Sequence, residues 1–518
     1  MYFYQKLLNA LEIDDVKYQE LVRPTSISEI EDPLNFQNIE KAIDRIRLAI
    51  NNREKIMIYG DYDCDGICST SILVKAFNKI NYQVGYYIPS RYKNGYGINE
   101  EMVDLINQKG YKLIITVDNG VSQIDAIRKA KNYGIDVIVT DHHEILKDIP
   151  DCYCLVHPFL KKKDILPQCG AYVAFMISIL LLGKIDPYLL SLASLATISD
   201  MMPLLEYNRI LVKNGIKLMN ENKYPQFGIL LNYEKIDETS LSYSLAPKIN
   251  AIGRVKDDTS VNKVVKYFNT KNLDELVDLA NYINEVNEER RQMCNEAFSS
   301  IKIDDNDDKI NVVLIPSLKE GLIGLVASRL VNQFKKPAIV FTRSENNLLK
   351  GSGRSLEGFS LADSFNQLGN LLVAYGGHAL AGGLTIEEEK FEIFKKEINL
   401  LAKNSIFTPK NVKIIEMDID DFSYENFLLI KNLSPYGESF EEPLLSYKIN
   451  KNQITFIGNL KQHFKGIINS ECSFVHFNYD QEIINSQIIE LLGNLELHSY
   501  KGNNQLVFKV KEIRKGDN

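Results

Sequence analysis

The hydrophobic pattern changes at Lys55. From there, short apolar runs alternate with longer amphipathic stretches of helical period, as in strands buried on both faces and covered by helices. The runs Lys55–Tyr59, Gln83–Ile88, Leu113–Val117, Asp136–Thr140 and Tyr153–Val156 read as strands, with helices predicted over Ile67–Phe77, Asn99–Lys109 and Gln123–Tyr133. This order predicts a parallel α/β sheet. Upstream, residues 1–50 read as helical segments around the loop PTSISEIEDP and carry no identifiable chemistry. Ala171–Leu182 is the most apolar run, but Lys184, Asp186 and Pro187 break it short of the ~20 residues a membrane span needs, so buried core helices are expected.

Beyond Asn208 the pattern is less regular as far as APKINAIGR, where Arg254 follows a small-residue turn. A long helix over Leu273 to Ile301, with Leu276, Leu279, Ile283 and Val286 at helical spacing, is expected to connect two lobes. The acidic loop DDNDD (304–308) marks a boundary, and a second α/β unit follows, with strands Asn311–Ile315 and Pro337–Phe341 flanking a helix Gly324–Phe334. It continues in two glycine-rich loops, KGSGRS and YGGHALAGG. Ser405 to Asn411 reads as a linker, and the short alternating strands beyond it predict a small β-barrel. Barrel core is the usual place for its aromatics Phe464, Phe474, Phe477, Tyr479 and Tyr500, although such rings can also stack bases. The expected division is 1–50, 51–215, 216–305, 306–405 and 406–518.

Chemistry gathers at the predicted strand ends, where open α/β sheets bind their ligands. Asp61, Asp63 and Asp65 follow the first strand in GDYDCDG, Asp118 follows the third in VDNG, and Asp141, His142 and His143 follow the fourth in TDHHE. Asp200 closes the helical run before MMPL. Clustered carboxylates repel one another unless cations sit among them, and hard divalent ions prefer oxygen ligands, so a metal site is expected. Each piece alone has a plainer reading, since Asp and Asn-Gly favour turns and paired histidines are common at surfaces. A calcium loop is excluded: with Asp61 as position one, the position of the bidentate Glu is held by Ile72. In the second α/β unit, Ser352, Arg354 and His378 among glycines suit an anion, phosphate above all.

Composition narrows the class further. With 518 residues, 45% hydrophobic and 25% charged, the chain is an ordinary globular one of about three domains. Its 60 basic and 68 acidic residues give −8, which argues against a globally basic nucleic-acid binder but permits a local basic groove. Seven cysteines without a C-x-x-C pair point to reduced thiols in the cytoplasm, and the first residues lack the pattern of a signal peptide.

In the order GDYDCDG, SRYKNGYG, VDNG, TDHH, SDMMPL, APKINAIGRV, NEERRQ, GLIGLVASRL, KGSGRSLEGF and GGHALAGGLTI, these segments resemble the RecJ branch of the DHH phosphoesterase family over most of the chain. The resemblance implies an α/β fold of two lobes, a parallel-sheet DHH domain and a smaller DHHA1 domain joined by a long helix, plus a C-terminal OB-type barrel. It implies a 5′ to 3′ exonuclease that degrades single-stranded DNA to mononucleotides in DNA repair and recombination, with two Mn²⁺ or Mg²⁺ ions. Asp61, Asp63, Asp65, Asp118, His142, His143 and Asp200 would hold the metals, Asp63, Asp65, Asp118, His142 and His143 carrying the catalysis. Arg91, Arg254, Ser352, Arg354 and His378 would grip phosphates. Single-strand-binding protein and a helicase are the partners it implies, and no membrane is involved. The alternative is a DHH phosphodiesterase of short oligoribonucleotides or dinucleotides, and a non-catalytic DNA-binding scaffold is a third reading. The chain departs from the family at Leu318-Lys319, where a Trp-His pair is usual, and at Ser439 to Pro443.

Overall fold

The computed structural model describes residues 2–515 apart from 94, 146–147, 162, 164–165, 257–258, 303–307, 409–411, 459–461, 478–486 and 501–502. The DDNDD loop falls almost wholly outside the described residues, as do the end of the 405–411 linker and Tyr479. Two compact units emerge, residues 26–410 and, separately, residues 1–25 with 411–518. The segment 1–50 is therefore divided between them.

In the larger unit, β1 (Lys55–Tyr59), β2 (Gly85–Tyr87), β3 (Tyr111–Val117), β4 (Asp136–Thr140) and β5 (Cys154–Val156) form an all-parallel sheet in the order β2-β1-β3-β4-β5. Alternating residues face opposite layers. Ile56, Ile58, Leu113, Ile115 and Val117 join a core with the helices Cys64–Lys79 and Gly170–Leu182, whereas Met57, Tyr59, Ile114, Val137 and Val139 pack with Glu100–Gln108 and Ile124–Asn132. Both faces are covered, which explains why the strands read as unbroken apolar runs. The apolar stretch 170–182 and the helix Pro187–Ser199 after it are core helices, and among the described residues no helix is long and apolar enough to cross a membrane.

The stretch after Asn208 is more regular than its sequence suggests. It folds into helices Glu206–Asn222 and Ala246–Val255, the latter entered through one π-helical turn, Leu241–Leu245. Arg254 thus sits in the last turn of a helix and not after a loose turn. The connecting helix runs Leu273–Ser300.

A second sheet joins β6 (Asn311–Leu314), β7 (Ala338–Arg343), β8 (Leu348–Arg354), β9 (Leu372–Gly377) and β10 (Ala381–Glu387) in the order β6-β7-β8-β10-β9, with only β6 and β7 parallel. The two glycine-rich segments, expected as loops, are largely strands here. A Cβ on Gly351 would lie 2.5 Å from the Phe341 ring and one on Gly382 2.8 Å from Phe365. These glycines make room for aromatic core and do not release the backbone into loops.

The smaller unit is a seven-stranded sheet of β11 (Ile414–Glu416), β12 (Leu444–Asn450), β13 (Thr455–Ile457), β14 (His463–Ile467), β15 (Cys472–Phe477), β16 (Ile488–Tyr500) and β17 (Asn503–Lys515). Phe464 and Phe474 fill its core, and Phe477 is exposed. Phe3, Leu7, Leu8, Leu11 and Tyr18 from the N-terminal helices share that core, and Lys6 bonds Asp418 and Asp421.

Candidate active site

Three turns and one helix end converge at the carboxyl edge of the first sheet. Asp63 caps the Cys64–Lys79 helix, accepting from the N–H groups of Asp65 and Gly66. Asp65 reaches across to the N-terminus of the Gly170–Leu182 helix, where the Gly170 and Ala171 N–H groups donate to it at 2.6 and 2.7 Å. A Cβ on Gly170 would come within 2.7 Å of Asp118 Cβ, so only glycine lets that helix end approach. Asp118 holds a positive φ of 62°, a conformation costly for a residue with a side chain and one that clusters at functional sites. Asp200 ends the Pro187–Ser199 helix.

All seven residues expected to hold metal are brought together. Ligand atoms of Asp61, Asp63 and Asp118 lie within 4.8 Å of one another, as do those of Asp65, His142 and Asp200, and those of Asp118, His142 and His143. His142 Nε2 stands 3.1 Å from Asp118 Oδ1 and 3.6 Å from both Asp65 Oδ2 and Asp200 Oδ2.

Burial, reinforced by the charges of neighbouring carboxylates, pushes Asp61, Asp118 and Asp200 well above the usual carboxylate range. Burial also raises Asp65, with the His142 charge pulling the other way. Three buried oxygens, Asp61 Oδ1, Asp118 Oδ1 and Asp200 Oδ2, have no hydrogen-bond partner. Buried carboxylate oxygens that accept no hydrogen bond and lie beside an imidazole are the donor set that a hard divalent cation takes, so the residues fit Mn²⁺ or Mg²⁺.

Asp141 organises this edge without joining the cluster. Its carboxylate accepts from the N–H groups of Val121, His142 and His143 and from His143 Nδ1 at 2.8 Å. Burial works hardest against the His143 charge, but the bond to Asp141 together with the charges of Asp141, Asp200 and Asp63 outweighs it and raises His143 to about 9. Tyr96 adds a hydroxyl 3.0 Å from His143 Nδ1 and donates to the Asp118 carbonyl. Asp141 is one of the acids expected at the strand ends, though not as a metal ligand, and Tyr96, inside the SRYKNGYG motif, carries no role in the sequence reading.

A basic cluster stands beside the acids. The Arg91 guanidinium lies 4.2 Å over the ring of Tyr62, within the metal-binding turn, and Cys64 N–H donates to Asn250 on the Ala246–Val255 helix. Arg254, on that helix, is lowered to about 10, first by burial and then by the charge of Arg91, with Arg290 and Arg354 adding to it and Asp63 opposing. Arg354 Nη1 donates to Ser352 Oγ at 3.1 Å, and both face Gly324 at the start of the Glu320–Phe334 helix. Arg290, in NEERRQ, was not foreseen; its Nε, like that of Arg91, is buried without a partner. His378 is exposed in the turn between β9 and β10, and no described contact joins its side chain to the other four.

Models of the DHH family N-terminal domain, the DHHA1 domain and the RecJ OB domain match residues 55–197, 307–404 and 415–512. The single-stranded-DNA-specific exonuclease RecJ of Bacillus subtilis is 32% identical over 96% of this chain, which spans 66% of the Bacillus protein. Proteins of the same name from Haemophilus influenzae and Escherichia coli are 28% and 29% identical over 98% and 92% of this chain, and 95% and 90% of theirs. The chain belongs to the RecJ family. Among RecJ structures, that of Thermus thermophilus in complex with Mn²⁺ shares the fold, with a TM-score of 0.85, 24% identity and coverage of 99% of this chain and 78% of that one. An exonuclease RecJ bound to manganese is 28% identical, with a TM-score of 0.62 over 74% of this chain and 96% of that one.

Proposed function

We propose that the chain is a 5′ to 3′ exonuclease that removes mononucleotides from single-stranded DNA by metal-assisted phosphodiester hydrolysis, in DNA repair and recombination. The observation that carries this is the meeting, in one unit, of a carboxylate–imidazole cluster with partnerless buried oxygens and a set of arginines whose charges act on one another and on Asp63. Asp61, Asp63, Asp65, Asp118, His142, His143 and Asp200 would hold two Mn²⁺ or Mg²⁺ ions, with Asp118 and His142 each common to two of the ligand groups. Bound divalent ions supply charge neutralisation and a water acidic enough to attack at neutral pH.

The chain's own groups do the rest. Asp141 and Tyr96 hold His143 at the mouth of the cluster, where its imidazole meets the scissile phosphate. Arg91, Arg254, Ser352 and Arg354 receive backbone phosphates, guanidinium forks matching phosphate oxygens in geometry and charge. Held at a fixed distance from the metal cluster, a gripped 5′ end permits only successive cuts, and the exposed His378 meets the strand beyond it. Residues 51–215 carry the cluster, 306–405 complete the grip, and the OB domain with its exposed Phe477 holds the incoming strand. Seven free thiols suit the reducing cytoplasm, where a helicase and a single-strand-binding protein are the partners such an enzyme requires.

The test is incubation of the chain and Mn²⁺ with 3′-labelled single-stranded DNA, beside the same strand in blunt duplex and as RNA. Stepwise loss from the 5′ end of the single strand alone is expected. Consumption only of very short oligonucleotides or RNA would replace this reading with a small-substrate phosphodiesterase, and no consumption of any strand with a non-catalytic scaffold.

A further inference from the structure

The end of one helix and the beginning of another meet beside the arginine cluster. The Ala246–Val255 helix, which carries Arg254, leaves its final carbonyls without intrahelical partners, and the Glu320–Phe334 helix leaves its first N–H groups in the same condition. One phenol serves both. Tyr92 Oη donates to the Arg254 carbonyl at 2.5 Å and accepts from the Gly321 N–H at 3.2 Å. Beside it, Lys319 Nζ donates to the Val255 carbonyl at 2.6 Å, placing a cation where a helix C-terminus favours one. Gly321 permits the approach: a Cβ there would stand 2.5 Å from the Arg254 carbonyl oxygen and 2.9 Å from the Tyr92 hydroxyl. The Arg254 guanidinium completes the seam through Nη1 to the Gly321 carbonyl at 3.4 Å.

Three separate stretches are tied at this point. Tyr92 neighbours Arg91, the middle helix carries Arg254, and the Glu320–Phe334 helix carries Gly324, against which Ser352 and Arg354 lie. We infer that Tyr92 and Lys319 are positioning residues, joining these helix ends so that Arg91, Arg254 and the Ser352–Arg354 pair keep the spacing needed to seat a 5′-terminal phosphate. The inference rests on the exonuclease reading above. It also gives Lys319, which stands where the family usually has histidine, a role of its own: it caps the helix that bears Arg254.

The experiment compares full-length wild type with Tyr92→Phe, Lys319→Met and Lys319→Arg on 5′-phosphorylated and 5′-hydroxyl single strands, with Mn²⁺ affinity measured separately by calorimetry without DNA. Tyr92→Phe removes both bonds and keeps the ring; KM for the phosphorylated strand should rise about tenfold with kcat within about twofold, the loss expected when hydrogen bonds that position a charged grip are removed. Lys319→Met should act in the same direction, Lys319→Arg should restore the wild-type KM, and Mn²⁺ affinity should be unchanged in all three. Because a general loss of fold would affect both strands, the ratio of KM values for phosphorylated and hydroxyl ends decides. An unchanged ratio in Tyr92→Phe and Lys319→Met, with wild type cutting normally, overturns the inference alone. Wild type that cuts neither strand overturns the exonuclease reading, and this inference with it.

Discussion

The acidic cluster and the basic one lie close enough for Arg254 to feel Asp63, yet they are assembled differently. The acidic one draws all but Asp65 and Asp200, which sit at helix ends, from turns that follow β1, β3 and β4, three strands of a single sheet. Sheet geometry alone brings these turns together, and the helix end at Gly170 then fixes Asp65. The basic cluster takes Arg91 from the loop after β2, Arg254 and Arg290 from two helices, and Arg354 from β8 in another sheet. Its geometry depends on how those elements pack. The difference implies that damage to the acids should remove chemistry and spare binding, whereas damage to the arginines should weaken or misplace the strand while leaving the cluster able to react.

The largest effect tests that division outright. Asp118→Asn should lower hydrolysis of single-stranded DNA by at least about a thousandfold, as expected for a shared metal ligand, while leaving strand affinity near wild type. Loss of both together in a folded variant would erase the distinction. Arg354→Ala should reduce the preference for 5′-phosphorylated over 5′-hydroxyl ends by about tenfold or more, the range for a charged hydrogen-bonding group, measured as the ratio of kcat/KM values.

A smaller effect separates the clusters by stability. In chelator, Asp118→Asn should unfold at higher temperature than wild type, by about 1 kcal/mol or more, because a neutral isostere relieves repulsion among buried acids. Excess Mn²⁺ should reverse that order, since only wild type retains the full ligand set. Thermal melts with and without the metal check both signs. Least is expected of the barrel: Phe477→Ala, which removes an exposed ring 5.2 Å from His463, should weaken single-strand binding by about 1 kcal/mol, the worth of one stacked base, with kcat unchanged.

The same contrast explains what could be read from the chain. The strands β1, β3 and β4 were legible because parallel strands covered on both faces are continuous apolar runs, and the acids after them lie at the ligand-binding edge by rule. KGSGRS and YGGHALAGG misled because glycine usually signals a turn, whereas Gly351 and Gly382 are strand residues whose missing side chains admit Phe341 and Phe365. The helix Glu206–Asn222 was obscured because its buried face carries Asn208, Arg209 and Asn214 among Leu211, Val212 and Met219. Arg290, and Tyr92 with its two bonds to helix ends far along the chain, gave no local signal, for their roles exist only once distant elements pack. The docking of the first helices onto the barrel core is a contact of the same long-range kind.

The central claim, that the carboxylate–imidazole cluster is a two-ion centre, is tested most directly by an anomalous difference map from a crystal soaked in Mn²⁺. Two peaks are expected, both among Asp61, Asp63, Asp65, Asp118, His142, His143 and Asp200 and with Asp118 touching each. An empty cluster in a crystal whose surface sites bind Mn²⁺ would contradict the account.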